Sequence, residues 1–155
     1  AMSAASDVYK RQLLERAPKY DFLLTAEAKS IPLVQEMARQ NGDAHYIVAR
    51  KGRKLYMDNP ICVGVKSITT EKDQKLYVDQ EEMEQMRGKR ILIVDDVIST
   101  GRSLQALEEI AAAAGADVVG KMAVLAEGDA ASRTDISYLE KLPLFNGKGE
   151  PLPFD

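Results

Sequence analysis

Several residue types that often carry chemistry are scarce in this sequence. Among its 155 residues there are one cysteine, one histidine and no tryptophan. A single cysteine, Cys62, excludes an internal disulfide and disfavours a cysteine-based zinc site. Because Cys62 lies in an apolar run, we expect it to be packed in the core. His45 has no second histidine or cysteine cluster in the sequence, so we expect it to be structural rather than catalytic.

The sequence also lacks a strong charge excess and a long apolar run. The net charge is −3, and 45% of the residues are hydrophobic, which is ordinary for one domain with a core. Without clustered basic charge, we expect no binding to nucleic acid. No run reaches the ~18 apolar residues of a membrane span, and no signal-peptide core is apparent near the start. We therefore expect a cytoplasmic protein without membrane contact.

The first dozen residues need separate treatment. The segment DVYKRQ, residues 7–12, can be written back into DNA as GATGTGTATAAGAGACAG, which resembles the transposon-end adapter of sequencing libraries. We expect residues 1–12 to derive from cloning or adapter sequence, with a shortened natural N-terminus, and residues 13–155 to form one domain. A natural amphipathic start is the alternative.

Strand and helix patterns alternate along the rest of the chain. This alternation predicts an α/β fold with a mainly parallel, twisted sheet and helices on both faces. Ser30 is expected to cap a helix that ends just before Gly42, and the tail from Asp129 is expected to be less regular than the rest. The predicted strands are 20–25, 44–50, 61–69, 74–79, 90–96 and 117–127, with 61–69 and 74–79 as a candidate hairpin; the predicted helices begin at residues 31, 81 and 103.

The helix from residue 103 has the clearest pattern. Its apolar residues recur at helical spacing, Gly115 ends it, and Glu108 and Glu109 are expected to face solvent. The predicted buried stripe is Leu104, Leu107, Ile110, Ala111 and Ala114.

The segment ILIVDDVISTGRS, residues 91–103, places two acids beside a turn suited to anions. The turn leads from a strand into a helix, where free N–H groups, the helix dipole and hydroxyl groups favour a phosphate. Gly101 allows close approach of a ligand. The spacing matches neither a Walker A loop nor a G-x-G-x-x-G motif. Asp95 and Asp96 can accept hydrogen bonds from a sugar diol, so a ribose 5-phosphate would satisfy both parts.

The whole string ILIVDDVISTGRSL resembles the phosphoribosyl pyrophosphate (PRPP) motif of type I phosphoribosyltransferases. The resemblance implies that the two acids hold the ribose and act catalytically, and that they hold Mg²⁺ through water or ribose hydroxyls. The alternative is an acid pair that caps the following helix. The residues implied to bind ribose 5-phosphate are Asp95, Asp96, Val97, Ile98, Ser99, Thr100, Gly101, Arg102 and Ser103.

Two further segments resemble the same family. TAEAKSIP is similar to its pyrophosphate loop, and ARKGRKLY is similar to a segment of adenine enzymes that opens a mobile loop, here residues 51–60, over the site. An ordinary capped turn and a solvated basic loop are the alternatives. The residues implied to bind pyrophosphate are Glu27, Ala28, Lys29, Ser30, Arg50, Lys51 and Lys54.

The resemblance implies transfer of 5-phosphoribose from PRPP to a purine base, with Mg²⁺, in a homodimer that serves purine salvage. Hypoxanthine-guanine enzymes carry a proton-transferring aspartate at the position of Ser99, so this serine favours adenine or xanthine as acceptor. Arg102 replaces the more usual glycine. Orotate stays open as an acceptor, because orotate enzymes have similar strings. A PRPP- or nucleotide-binding regulator and an inactive truncated fragment are the alternatives from other classes.

Overall fold

The computed structural model describes residues 4–65 and 74–153. The helices are α1 (Ala4–Arg16), α2 (Ile31–Asn41), α3 (Gln80–Met86) and α4 (Arg102–Ala114), with a 3-10 helix at Gly128–Ser132. The strands are β1 (Phe22–Ala26), β2 (Ile47–Ala49), β3 (Pro60–Val65), β4 (Gln74–Asp79), β5 (Arg90–Ile98), β6 (Asp117–Glu127) and β7 (Ser137–Leu142).

Five of the described strands form a parallel sheet in the order β2-β1-β5-β6-β7. The strands β3 and β4 form a separate antiparallel pair, which confirms the predicted hairpin. The end of the predicted strand 61–69 falls in residues 66–73, outside the described residues. The predicted α/β fold is confirmed, and β5 lies at the centre of its sheet.

Both faces of the sheet are covered by helices, as the apolar run of β5 predicts. Ile91 and Ile93 pack into the cluster that contains the buried side chains of α3 and α4. Leu92 and Val94, which point to the opposite face, pack into the cluster with α1 and α2. Successive residues of a strand point to opposite faces, so β5 contributes side chains to both halves of the core.

The helix α4 has the predicted buried stripe, and all five of its residues are buried. Gly115 ends the helix in the left-handed conformation, at φ 72°. Glu109 is exposed as expected. Glu108 is an exception, because its carboxylate forms an ion pair with Lys121 of β6.

The first helix was left out of the predicted fold, but it is part of the packed structure. Leu13 of α1 is fully buried in the cluster shared with α2. The helix runs without a break through position 12, so the predicted boundary between residues 12 and 13 falls inside one structural element. The adapter origin of residues 1–12 stays a prediction.

One strand was not predicted, and one local expectation was wrong. The tail contains the strand β7, which the sequence hides because an edge strand is half exposed and needs no continuous apolar run. Cys62 is exposed rather than packed in the core. Its neighbour Ile61 packs against the core instead, and alternation along β3 turns Cys62 to the other face.

The one histidine contacts an aromatic ring. The rings of His45 and Phe22 lie 5.1 Å apart. Within the described segments, no helix combines the length and apolar character that crossing a bilayer requires.

Candidate active site

The carboxyl end of β5 carries the acid pair, Asp95 and Asp96. The N–H of Asp96 donates to Oδ1 of Asp95 at 2.8 Å, and the N–H of Val97 donates to Oδ1 of Asp96 at 2.9 Å. Two carboxylates are therefore held by their own backbone at the sheet edge where parallel α/β proteins bind ligands.

Ser30 joins this acid pair from the start of α2. Its hydroxyl donates to Oδ1 of Asp95 at 2.8 Å and accepts from the N–H of Asp96 at 3.0 Å. Ser30 is the N-cap residue of α2, as predicted, but among the described residues its side chain caps no N–H group of that helix. The hydroxyl bonds the partly buried acids instead, because a carboxylate that lacks hydrogen-bond partners there costs more than an uncapped helix end.

The surroundings shift the pKa values of the two acids in opposite directions. Burial, followed by the hydrogen bond with Asp96, raises the pKa of Asp95 to about 7. Burial acts to raise the pKa of Asp96 as well, but hydrogen bonds from Asp95, Val97 N–H and Ser30 outweigh it and lower that pKa. Two adjacent carboxyl groups that cannot both ionise easily are suited to a ligand that brings hydroxyl donors or positive charge.

The turn after β5 forms a cleft of about 110 Å³, lined by Asp95, residues 97–103 and Leu104. Ile98 is buried, so only its backbone can serve a ligand there. Gly101 lies immediately before α4 with φ +80°, and a Cβ at this position would lie 2.5 Å from Nη1 of Arg133. The turn therefore requires glycine for its backbone conformation, while the guanidinium of Arg133, at the end of a flexible side chain, would have to move.

A second cleft, of about 210 Å³, lies between the β1–α2 loop and the acid pair. Residues 26–30, Lys51 and Asp96 line it. It shares Asp95, Val97 and Ser103 with the cleft of the turn. One extended ligand with an anionic group at each end can therefore occupy both clefts and lie across the acids.

The basic residues expected at the pyrophosphate gather around Glu27. The N–H of Lys51 donates to Oε1 of Glu27 at 2.8 Å, while Nζ of Lys54 lies 3.3 Å and Nη1 of Arg50 3.6 Å from its carboxylate. The Lys51 N–H and the two cations lower the pKa of Glu27. Of the three basic residues, Lys51 lines the cleft itself. Arg50 and Lys54 are connected to the cleft by their ion pairs with Glu27, which also lines it.

Glu127, at the end of β6, is a site residue that the sequence reasoning missed. Oγ of Ser99 donates to Oε1 of Glu127 at 2.9 Å, so this carboxylate adjoins the turn at residues 99–103. The signal was available, since Glu127 is the last residue of a correctly predicted parallel strand, and ligand sites lie beyond such ends.

The acid pair fits a magnesium ion that is shared with a substrate. Within residues 4–65 and 74–153, no group of three or more histidine, cysteine or acidic side chains forms a complete metal site. Mg²⁺ is commonly held by one or two carboxylates together with water and substrate phosphates. Asp95 and Asp96 supply the oxygen ligands for such an arrangement.

The sequence is similar to a known family over most of its length. The profile of the "Phosphoribosyl transferase domain" family matches residues 7–141. A hypoxanthine/guanine phosphoribosyltransferase of Methanococcus voltae is 33% identical over 127 residues, which are 82% of this chain and 64% of that protein. Xanthine phosphoribosyltransferase 1 of Clostridium perfringens is 29% identical over 71% of this chain and 57% of its own. The chain thus spans less than two thirds of these relatives.

Solved structures share the fold. An adenine phosphoribosyltransferase from Thermoanaerobacter pseudethanolicus superposes with a TM-score of 0.73 at 18% identity, over 89% of this chain and 81% of that one. The Trypanosoma brucei adenine enzyme, in complex with AMP, pyrophosphate and ribose-5-phosphate, gives 0.68 at 16% identity, over 96% and 69%. Because the family profile matches residues 7–141, most of the chain, the chain belongs to the type I phosphoribosyltransferase family.

Proposed function

We propose that this chain transfers the 5-phosphoribosyl group of PRPP to a purine base and releases pyrophosphate. The observation that carries the proposal is the pair of joined clefts that meet at Asp95. PRPP has a phosphate at one end, a diphosphate at the other and a diol between them. The two clefts and the acid pair match these three parts in order.

Each part of the site has a role in this proposal. The turn at residues 99–103 binds the 5-phosphate through backbone N–H groups at the start of α4. Asp95 and Asp96 accept hydrogen bonds from the ribose hydroxyls. The loop at residues 27–30, with Lys51 and the charges of Arg50 and Lys54, binds the diphosphate.

The chemical step breaks the bond between the anomeric carbon and pyrophosphate, whose oxygen keeps the electron pair. A ring nitrogen of the base forms the new bond with the anomeric carbon, and its proton passes to solvent or to the released pyrophosphate. The protein contributes orientation and electrostatic stabilisation of the departing charge. Mg²⁺, when bound at the acid pair, neutralises charge on the diphosphate. Closure of the loop at residues 51–60 would exclude water, which otherwise hydrolyses PRPP.

Adenine is the acceptor that we favour. Ser99 is a small residue where hypoxanthine-guanine enzymes carry an aspartate, which supports adenine or xanthine. A 6-oxopurine is the second candidate, because the Methanococcus relative, at 33% identity, is named for hypoxanthine and guanine. We also propose a homodimer in solution, and light scattering of the purified chain would test it.

One assay tests the proposed reaction. The protein is incubated with PRPP, Mg²⁺ and one base at a time, namely adenine, xanthine, guanine, hypoxanthine or orotate, and pyrophosphate release is followed. Release with adenine supports the proposal, and release with another base identifies that base as the acceptor. No release with any base, combined with a PRPP-induced rise in Tm, would refute the transferase in favour of a regulator or an inactive fragment; a gel shift with nucleic acid separates these two.

A further inference from the structure

We infer that Glu127 contacts the acceptor base and selects for a base that carries an amino group at its 6-position. The inference rests on the proposed function and names the residue that determines specificity at the same site. Its starting point is the hydrogen bond from Ser99 to Glu127, which no part of the PRPP assignment explains.

The order of the strands places the acceptor near Glu127. The loop assigned to pyrophosphate follows β1, on one side of β5, and β6 lies on the other side. Entering and leaving groups occupy opposite faces of the carbon during a displacement. With pyrophosphate on the β1 side, the base must approach the ribose from the side of β6, where Glu127 ends the strand.

Glu127 is held at this position by its neighbours. The pairing of β5 with β6 ends at Ile98 and Ala126, and the next residues, Ser99 and Glu127, continue side by side. Oγ of Ser99 donates to Oε1 of Glu127 at 2.9 Å, while Ser99 also lines the cleft of the phosphate turn. The carboxylate is partly buried and lies one hydrogen bond away from the ribose phosphate site.

The chemistry of a carboxylate determines which base it favours. An ionised carboxylate only accepts hydrogen bonds. With Oε1 bonded to Ser99, Oε2 can accept from the exocyclic amine of adenine. A 6-oxopurine presents a carbonyl oxygen at the same position, which repels the carboxylate. Sites that hydrogen-bond a substrate group discriminate strongly against an analogue without it.

Nucleotide binding tests this inference independently of turnover. The dissociation constants of AMP, IMP and ribose 5-phosphate are measured by calorimetry for the wild type, Glu127→Gln and Glu109→Gln. Glu109 is exposed on α4, so its substitution makes the same chemical change outside the site. We expect Glu127→Gln to shift the AMP-to-IMP affinity ratio at least about tenfold towards IMP, because the amide can donate to a carbonyl. Ribose 5-phosphate, which has no base, should bind with unchanged affinity, and Glu109→Gln should change nothing.

Each other outcome rejects one of the two proposals. If the ratio in Glu127→Gln stays within about twofold of the wild type, or if AMP and IMP bind no better than ribose 5-phosphate, Glu127 does not select the base. Loss of ribose 5-phosphate binding in Glu127→Gln would show a structural role instead and also overturns the inference. If the wild type does not bind ribose 5-phosphate, the proposed function fails, and the inference fails with it.

Discussion

The hydroxyl of Ser30 lies 2.8 Å from Oδ1 of Asp95, although 65 residues separate the two in the chain. This contact joins the loop after β1 to the end of β5. The two halves of the proposed PRPP site are therefore coupled by one buried side chain.

Removing this hydroxyl should weaken the site without unfolding the protein. Ser30→Ala removes one hydrogen-bond partner each from the N–H of Asp96 and the partly buried carboxyl of Asp95, which keep their bond to each other. The loss of a hydrogen bond of this kind costs about 0.5–1.5 kcal/mol. We expect kcat/KM for PRPP to fall at least about tenfold, with a lower midpoint of urea unfolding. Ser137→Ala, at an exposed serine of β7, is the matched control. Wild-type kinetics in Ser30→Ala would show that the acids do not need the hydroxyl.

The acid pair should be essential for turnover. Asp95→Asn and Asp96→Asn keep the shape but remove the charge that is proposed to bind ribose hydroxyls and Mg²⁺. We expect pyrophosphate release to fall at least about a hundredfold in each variant. Asp117→Asn, at the exposed start of β6, should keep full activity. Equal rates in all three variants would remove the acids from the proposed mechanism.

Gly101 should tolerate no side chain. An alanine there would have to adopt φ +80°, and its Cβ would lie 2.5 Å from Nη1 of Arg133. Gly101→Ala should therefore lower the free energy of unfolding by about 1–3 kcal/mol and weaken binding of ribose 5-phosphate. The double variant Gly101→Ala/Arg133→Ala removes the clash but keeps the backbone strain, and it should recover only part of the loss.

Gly147 provides the control for this experiment. A Cβ at Gly147 has no described atom within 4 Å, and its φ is not in the positive range. Gly147→Ala should therefore leave thermal unfolding and ribose 5-phosphate binding unchanged. If Gly101→Ala behaves in the same way, the turn does not need glycine.

Asp21 should contribute to stability in a pH-dependent way. Its hydrogen bonds from the side chain and N–H of Arg90 lower its pKa from 3.8 to about 2. The pKa of Asp21 is lower in the folded state than in the unfolded state. The stabilisation is therefore present above pH 3.8 and is lost as the pH falls towards 2. Urea unfolding between about pH 5 and pH 2.5 should show a smaller decrease in Asp21→Asn than in the wild type. Asp117→Asn should keep the wild-type slope, and an unchanged slope in Asp21→Asn would contradict the role of Arg90.

Features that depend on neighbouring residues were predictable from the sequence. The buried stripe of α4 and its end at Gly115 follow from helical spacing and from the conformational freedom of glycine. The acid pair and the turn that is proposed to bind phosphate are contiguous, so a single segment carries both.

Features that depend on distant residues could not be read in this way. Edge strand β7 has no apolar run, because only part of its surface is covered. The sequence predicts that the side chain of Ser30 caps α2, because the acids that it bonds instead lie on a strand far along the chain. The packing of Leu13 likewise required the position of α2.

The sequence by itself determined the α/β class, because that class follows from local hydrophobic periodicity. It also determined the segment proposed to bind ribose phosphate, because that segment is one continuous motif. Only the tertiary structure decided that Ser30 hydrogen-bonds Asp95, that Glu27 forms ion pairs with the basic residues and that Glu127 lies beside Ser99. These contacts exist because parallel strands bring their carboxyl ends to one edge of the sheet, where residues distant in sequence become neighbours.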